Sequence, residues 1–192
     1  MATSNVDVRH WTREEYDRLV EQGFFHPEER CELVDGVIFE MTPQSSRHAT
    51  GVRFCLIALQ PLYLEGFDIR CQMPLALGFD SEPEPDIAVV SGEAGDYLHS
   101  HPSTAVLIIE VADSSLLHDR KRKARLYARA GILEYWLLNL VDSCLEIFKN
   151  PQDGGYTSHS ILRAGEIASP VSRPEAEIAV AKLIPGRWPQ EG

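Results

Sequence analysis

Two acidic residues lie next to short apolar runs of the kind that form buried β-strands. Asp86 follows Pro85 and precedes the run 87–90, and Glu110 directly follows the run 106–109. An ionised carboxylate at the edge of an apolar core costs free energy unless a counter-charge or a cation neutralises it. Carboxylate oxygens are ligands that suit Mg²⁺. The pattern therefore predicts a metal site shared by Asp86 and Glu110, although Asp86 after a proline is also typical of a simple turn.

A helical pattern that follows Glu110 adds a cation to this pair. At about 100° per residue, Asp119, Lys123 and Tyr127 fall on one helix face with apolar neighbours, so this face should pack on a sheet. Lysine seldom points towards a core without a partner. An ordinary (i, i+4) pair with Asp119, worth about 0.3 kcal/mol, would be one explanation. The other is that Lys123 acts beside the two acids, on a phosphate or a water.

The opposite arc of the same helix is strongly basic. It carries Lys121, Arg122, Arg125 and Arg129. Because the whole chain has a formal net charge of −11, a polyanion could be bound only locally, through this helix. Arg122, Arg125 and Arg129 are therefore candidate nucleic-acid-binding residues, with a merely solvated charged helix face as the alternative.

Length and composition favour one globular domain over residues 1–192. The chain has 192 residues, of which 44% are hydrophobic and 24% are charged. No apolar run approaches the roughly 18 residues that span a membrane, and the polar start lacks a signal-peptide core. We therefore expect no membrane partner and a cytoplasmic location. The four scattered cysteines are expected to be reduced thiols.

Further patterns predict the elements that must position the charged residues. Thr12 and Glu15 form a capping box that opens a short helix. Asp35-Gly36 between two β-prone runs predicts a hairpin over 32–40, and Ser45 or Ser46 can cap a longer helix. Strands are predicted at 67–76, 86–90, 105–111, 135–140, 144–149, 156–162 and 177–183, and a helix at 119–130. This order favours a mixed α/β or α+β sheet.

Six short motifs, taken in order, resemble the Uma2 family of bacterial proteins, which is assigned to the PD-(D/E)xK restriction-endonuclease-like superfamily. They are Glu32-Leu-Val-Asp-Gly, His48 at the head of a helix, Pro85-Asp86, Glu110-Val111-Ala-Asp-Ser, Asp119-x-x-x-Lys123-x-x-x-Tyr127 and Gly131-Ile-x-Glu134-Tyr135-Trp136. The resemblance spans roughly residues 11–185. It implies a restriction-endonuclease-like fold, in which helices flank a central mixed β-sheet that follows an N-terminal helix and hairpin.

The resemblance also implies roles for single residues. Asp86, Glu110 and the Val111 carbonyl would hold Mg²⁺ or Mn²⁺. The superfamily's usual lysine lies two positions after the second acid, where this chain has Ala112, so Lys123 is the natural substitute. Glu32 resembles an additional acid of such sites and is a fourth catalytic candidate. The remaining family positions are possible accessory residues: His48, Asp119 and Tyr127.

The implied function is a metal-dependent endonuclease that hydrolyses phosphodiester bonds in DNA. A homodimer is expected, because a two-fold pair can cut both strands of a duplex. One alternative is a module that keeps the nuclease fold and binds nucleic acid or protein with little or no turnover. Another is a phosphoesterase acting on smaller sugar or nucleotide phosphodiesters.

Overall fold

Short helices and strands follow one another along the chain, which a computed structural model describes over residues 8–186. The first half contains α1 (Arg13–Glu21), β1 (Cys31–Val34), β2 (Val37–Glu40), α2 (Ser46–Leu59), β3 (Phe67–Cys71) and β4 (Ile87–Ser91). The second half contains β5 (Leu107–Ala112), α3 (Leu116–His118), α4 (Ala124–Arg129), β6 (Glu134–Asn139), β7 (Cys144–Gln152), β8 (Gly155–Arg163), β9 (Ile167–Ala168) and β10 (Ile178–Ala179). A π-helical turn, Asp119–Lys123, joins α3 to α4, and 3₁₀ turns occupy Gln60–Leu62, Ala94–Tyr97 and Val180–Lys182.

Six of these strands form one mixed sheet in the order β3-β4-β5-β6-β7-β8. The β5–β6 pair is parallel, and the other neighbours in this sheet are antiparallel. The crossover that joins β5 to β6 contains α3, the π-helical turn and α4. This architecture confirms the predicted mixed sheet flanked by helices, preceded by a helix and a hairpin.

The two faces of the sheet pack against different helices. On one face, Cys55 and Leu59 of α2 belong to an apolar cluster with Ile109 and Val111 of β5. On the other face, Tyr127 of α4 belongs to a second cluster with neighbouring strands. Because side chains alternate along a strand, Glu110 points away from α2 and towards α4.

Local sequence signals explain the N-terminal elements. Glu15 N–H donates to Thr12 Oγ1 at 3.2 Å, and Thr12 N–H donates to Glu15 Oε2 at 3.0 Å, so the predicted capping box is present. Asp35 and Gly36 have φ angles of 54° and 73° and join β1 to β2, as the hairpin prediction requires. Ser45 caps α2 by accepting from His48 N–H.

Three predicted elements differ from the structure. The predicted strand 67–76 ends at Cys71, because Gln72 adopts a φ of 53° that turns the chain out of the sheet. The predicted helix 119–130 is π-helical over its first five residues. The predicted strand 177–183 is wrong beyond Ile178–Ala179, since a 3₁₀ turn follows.

Other predictions concern the chain as a whole. Within residues 8–186, no helix is both long and apolar enough to cross a membrane. Cys31, Cys55 and Cys144 are buried and Cys71 is partly buried, all as free thiols. The prediction of one domain over 1–192 includes residues 1–7 and 187–192, which lie outside the described residues, and it stays a prediction.

Candidate active site

A cavity of about 460 Å³ opens where β1, the start of α2, the end of β5 and the π-helical turn meet. Seven residues singled out from the sequence line it: Glu32, His48, Asp86, Glu110, Val111, Asp119 and Lys123. Tyr127 contacts one of these acids from α4, whereas the three candidate arginines lie on another surface. The structure therefore places the predicted acids and the predicted lysine around one space.

Strand register explains why Asp86 and Glu110 meet. β4 and β5 are antiparallel with Ile87 opposite Ile109, so the residue before β4 comes level with Glu110. The backbone N–H of Asp86 donates to Glu110 Oε2 at 3.1 Å. In return, the N–H of Val111 donates to Asp86 Oδ2 at 2.8 Å. The two acids are thereby held side by side where β4 begins.

Asp86 also accepts hydrogen bonds from two side chains. His48 Nε2 lies 3.1 Å from Oδ2, and Gln72 Nε2 donates to Oδ1 at 3.1 Å. Burial alone would raise the pKa of Asp86, but the donors from His48, Val111 and Gln72 lower this pKa below its usual value. Asp86 is therefore held as a carboxylate although it is buried.

The surroundings of His48 indicate its tautomer. Its Nδ1 is buried and has no hydrogen-bond partner among the described residues. A proton on that atom would be an unsatisfied buried donor, so the neutral ring fits best with its proton on Nε2, directed at Asp86. Burial lowers the pKa of His48, and Asp86 more than offsets this, so that the pKa lies above its usual value. His48 thus orients Asp86.

Glu110 accepts from three donors. Lys123 Nζ lies 2.9 Å and the Tyr127 hydroxyl 2.6 Å from Oε1, while Oε2 accepts the backbone N–H of Asp86. Burial raises the pKa of Glu110 above its usual value, although the Lys123 ammonium opposes that shift in part. Because these partners are positioned as donors, the carboxylate form suits the arrangement.

Lys123 lies inside the protein, as the helical periodicity predicted. Its ammonium is 2.9 Å from Glu32 Oε2 and 2.9 Å from Glu110 Oε1, and the side chain is 5% exposed. Glu110, Glu32 and Asp119 raise the pKa of Lys123 against the opposing effect of burial. Asp119 instead accepts a hydrogen bond from Ser115 at 2.5 Å, so the simple Asp119–Lys123 helix pair is not formed as a hydrogen bond.

Negative charge exceeds positive charge around the cavity. The buried acids Glu32, Asp86, Glu110 and Asp119 face one buried ammonium, that of Lys123. Burial raises the pKa of Asp119 to about 6, although Lys123 lowers it in part. A site with this excess of desolvated carboxylates is electrostatically suited to a cation.

The donor set can be compared with what Mg²⁺ or Mn²⁺ requires. A carboxylate offers about four lone-pair sites, and the hydrogen bonds of the described residues leave a free site on Asp86 Oδ1 and another on Glu110 Oε2. However, no group of three or more His, Cys, Asp or Glu side chains suited to a metal occurs in residues 8–186. Only an ion that needs two carboxylate ligands and keeps several waters, as Mg²⁺ commonly does, would match this donor set.

The basic residues form a separate surface beside the cavity. Lys121, Arg122, Arg125 and Arg129 are exposed, and together with Asp35 they line a depression of about 330 Å³. We call these four cations the basic face. Arg122 lies over the ring of Phe39, 4.9 Å from its centre, and Phe39 also lines the cavity. The basic face therefore adjoins the acidic cavity.

Gln72 is a residue of the site that the sequence analysis missed. Its amide contacts Asp86 because the chain turns at its positive φ angle, directly after β3. A glutamine rarely adopts this conformation, so the printed sequence carries no signal that would have found it.

Comparison with known proteins identifies the family and the fold of this chain. The model of the family described as "Uma2: Putative restriction endonuclease" matches residues 13–181. Comparison with curated proteins gives no match. Among solved structures, a protein from Anabaena variabilis ATCC 29413, titled a "putative nuclease belonging to DUF820", has a TM-score of 0.70 at 14% sequence identity and covers 90% of this chain and 96% of its own. That similarity shows a shared fold, and the family model shows that this chain belongs to the Uma2 family.

Proposed function

We propose that the protein is a metal-dependent endonuclease that hydrolyses phosphodiester bonds in DNA. The observation that carries this proposal is the contact between three predicted residues: Asp86 and Glu110 are hydrogen-bonded at the end of β5, and the Lys123 ammonium lies against Glu110. Membership of a family described as "Putative restriction endonuclease" supports the same reaction class.

The two acids are the proposed ligands of Mg²⁺ or Mn²⁺. Asp86 Oδ1 and Glu110 Oε2 would bind it through their free lone pairs, with the Val111 carbonyl as a further candidate. When bound, the ion would polarise a phosphoryl oxygen and lower the pKa of a water. Val111 N–H, His48 and Gln72 keep Asp86 ionised and oriented for this purpose.

Lys123 is proposed to act on the substrate. A lysine ammonium has three N–H donors, and Glu32 and Glu110 accept two of them. The third donor can reach a phosphate oxygen or the attacking water in the cavity that Lys123 lines, where it would offset developing negative charge. Glu32 then acts mainly by holding the ammonium in place.

The basic face is the proposed DNA contact. Arg122, Arg125, Arg129 and the neighbouring Lys121 would bind backbone phosphates beside the cavity. A homodimer and a cytoplasmic location also stay proposals, and light scattering on the purified protein tests the first of them.

A binding module without turnover is the second candidate. Two observations favour this module. Lys123 already neutralises the carboxylates of Glu32 and Glu110 in part, and residues 8–186 contain no three-ligand metal group. A phosphoesterase for smaller phosphodiesters would use the same residues, and cleavage of a small chromogenic phosphodiester but not of DNA would identify it.

Plasmid nicking separates these candidates. Wild-type protein with Mg²⁺ or Mn²⁺ should nick supercoiled DNA, and Asp86→Asn should lower the rate at least about a hundredfold, because it removes a charged ligand. Asp113→Asn is the matched control, since Asp113 lines the same cavity but contacts Ser45 and not the acid pair. This control should keep most of the activity.

Two outcomes would contradict the proposed endonuclease. If folded wild-type protein nicks no DNA with either metal but still binds it, the module is the correct description. If Asp86→Asn and Asp113→Asn lose activity equally, the cavity charge matters and the specific acid pair does not.

A further inference from the structure

The residue directly after β3 contacts the acid on which the proposed reaction depends. Gln72 donates through Nε2 to Asp86 Oδ1 at 3.1 Å. Its backbone N–H lies 3.2 Å from the carbonyl oxygens of both Pro85 and Asp86. Side chain and backbone of Gln72 therefore converge on the short segment that carries Asp86.

The backbone of Gln72 is in an unfavourable conformation. Its φ angle is 53°, in the left-handed region that residues with long side chains seldom adopt. Asp35, Ser143, Asn150 and Asp153 share this conformation. Asp and Asn tolerate it comparatively well, and Ser143 has a shorter side chain than Gln72. Backbone strain of this kind persists where surrounding contacts hold a residue in place. At Gln72, the hydrogen bond to Asp86 is such a contact.

We propose that Gln72 is a positioning residue that fixes the orientation of Asp86 Oδ1 for metal binding. Oδ2 already accepts from Val111 N–H and from His48. Oδ1 accepts from Gln72, so this amide determines where the remaining lone pair points. The inference rests on the proposed nuclease function for its chemistry, but the orientation of Asp86 can be measured without metal.

Two substitutions separate positioning from folding. Gln72→Gly removes the amide, relieves the backbone strain and keeps the backbone hydrogen bonds. In Gln72→Asn, asparagine also tolerates the left-handed conformation, but its side chain is one methylene too short for the observed contact with Asp86. Ser143→Gly is the matched control, because Ser143 has a φ angle of 52° in the turn between β6 and β7.

The variants are compared by thermal unfolding without metal, by calorimetric titration with Mn²⁺ and by the amide resonance of Val111. Both Gln72 variants should stay folded, and Gln72→Gly should unfold at or above the wild-type temperature. Their Mn²⁺ affinity should be about tenfold or more weaker, as for other residues that orient metal ligands. The Val111 amide proton should shift upfield, since its hydrogen bond to Asp86 loosens. Ser143→Gly should change neither the affinity nor this resonance.

The results also distinguish this inference from the proposed function. If wild type binds Mn²⁺ and both Gln72 variants bind it equally well, the inference is overturned. If wild type binds no Mn²⁺, the proposed metal site fails, and the Val111 resonance then decides the inference by itself. A shift in both Gln72 variants supports positioning of Asp86, and an unchanged resonance rules it out.

Discussion

The ammonium of Lys123 lies between two carboxylates that are themselves buried, and this limits how the residue can be replaced. Glu32 and Glu110 are 5% and 4% exposed, and each has an oxygen 2.9 Å from Nζ. Removing one partner of a buried ion pair lowers stability by more than the intact pair adds to it, because a buried charge is left without a counter-charge.

Lys123→Met should therefore lower the free energy of unfolding by about 3 kcal/mol. Adding Glu32→Gln to this variant should restore part of the loss, because it removes one of the two unpaired charges. Urea unfolding of the two single variants and the double variant gives the coupling energy between the residues. Strictly additive losses would show that Glu32 and Lys123 do not interact.

Glu82 gives a pH-dependent prediction away from the site. Burial and neighbouring Asp17 raise its pKa to about 7, although Arg13 opposes this shift. The unfolded chain loses this proton near pH 4.5, whereas the folded protein retains it to about pH 7. Stability is therefore lost as pH rises between these values.

Glu82→Gln should stabilise the protein by about 1–3 kcal/mol above pH 7 and have little effect below pH 4.5. Chemical unfolding at pH 4.5 and at pH 8 provides the measurement. A stabilisation that is equal at both pH values would contradict the shifted pKa.

Among the elements, the π-helical turn Asp119–Lys123 determines which side chains enter the cavity. Asp119 and Lys123 are both buried, while Arg120, next to Asp119, extends to the buried carboxylate of Glu146 on β7. Arg120 Nε and Nη2 lie 3.1 Å and 2.5 Å from the two oxygens of Glu146. This two-point contact fixes the start of the turn against the sheet.

Arg120→Lys should destabilise the protein by about 1–2 kcal/mol, because lysine cannot make the paired contact. Arg18→Lys is the control: Arg18 pairs with Glu14 on the exposed surface of α1, where the effect should stay below about 0.5 kcal/mol. Thermal unfolding of both variants compares the two pairs. Equal effects would show that burial of Glu146 does not strengthen its contact with Arg120.

For residues 119–130, helical periodicity correctly predicted which side chains are buried and which are exposed, but it did not predict the π-helical backbone. Lys123, Leu126 and Tyr127 are buried and the basic face is exposed, as expected from about 100° per residue. Periodicity does not distinguish a π-helical turn from an α-helix, and contacts of this turn such as Arg120 with Glu146 join residues that are distant in sequence. Asp86 and Glu110 were recognisable because each lies next to an apolar strand in the sequence. The contact between Glu32 and Lys123 was not, because it joins residues that are far apart in the chain.

At the scale of the whole molecule, charge is divided between the acidic cavity and the basic face. Arg125 lies on the basic face, is exposed, and has no ion-pair partner within residues 8–186. If the basic face binds phosphates, each cation should contribute to the salt dependence of binding.

Arg125→Ala should weaken duplex binding and reduce the slope of log K against log salt by about 1. Lys182→Ala is the control, because Lys182 is exposed in the C-terminal 3₁₀ turn and does not line the basic depression. Fluorescence anisotropy at several salt concentrations measures both. Identical slopes for the two variants would place the DNA elsewhere on the surface.

The β1–β2 hairpin is a two-stranded ribbon separate from the main sheet, and it contacts both charged regions. Through Glu32 it holds the ammonium of Lys123, and through Asp35 at its tip it pairs with Arg129 of the basic face. A rigid shift of this ribbon must alter both contacts together. A displacement of the hairpin on DNA binding would therefore be transmitted from the basic face to the Lys123 ammonium.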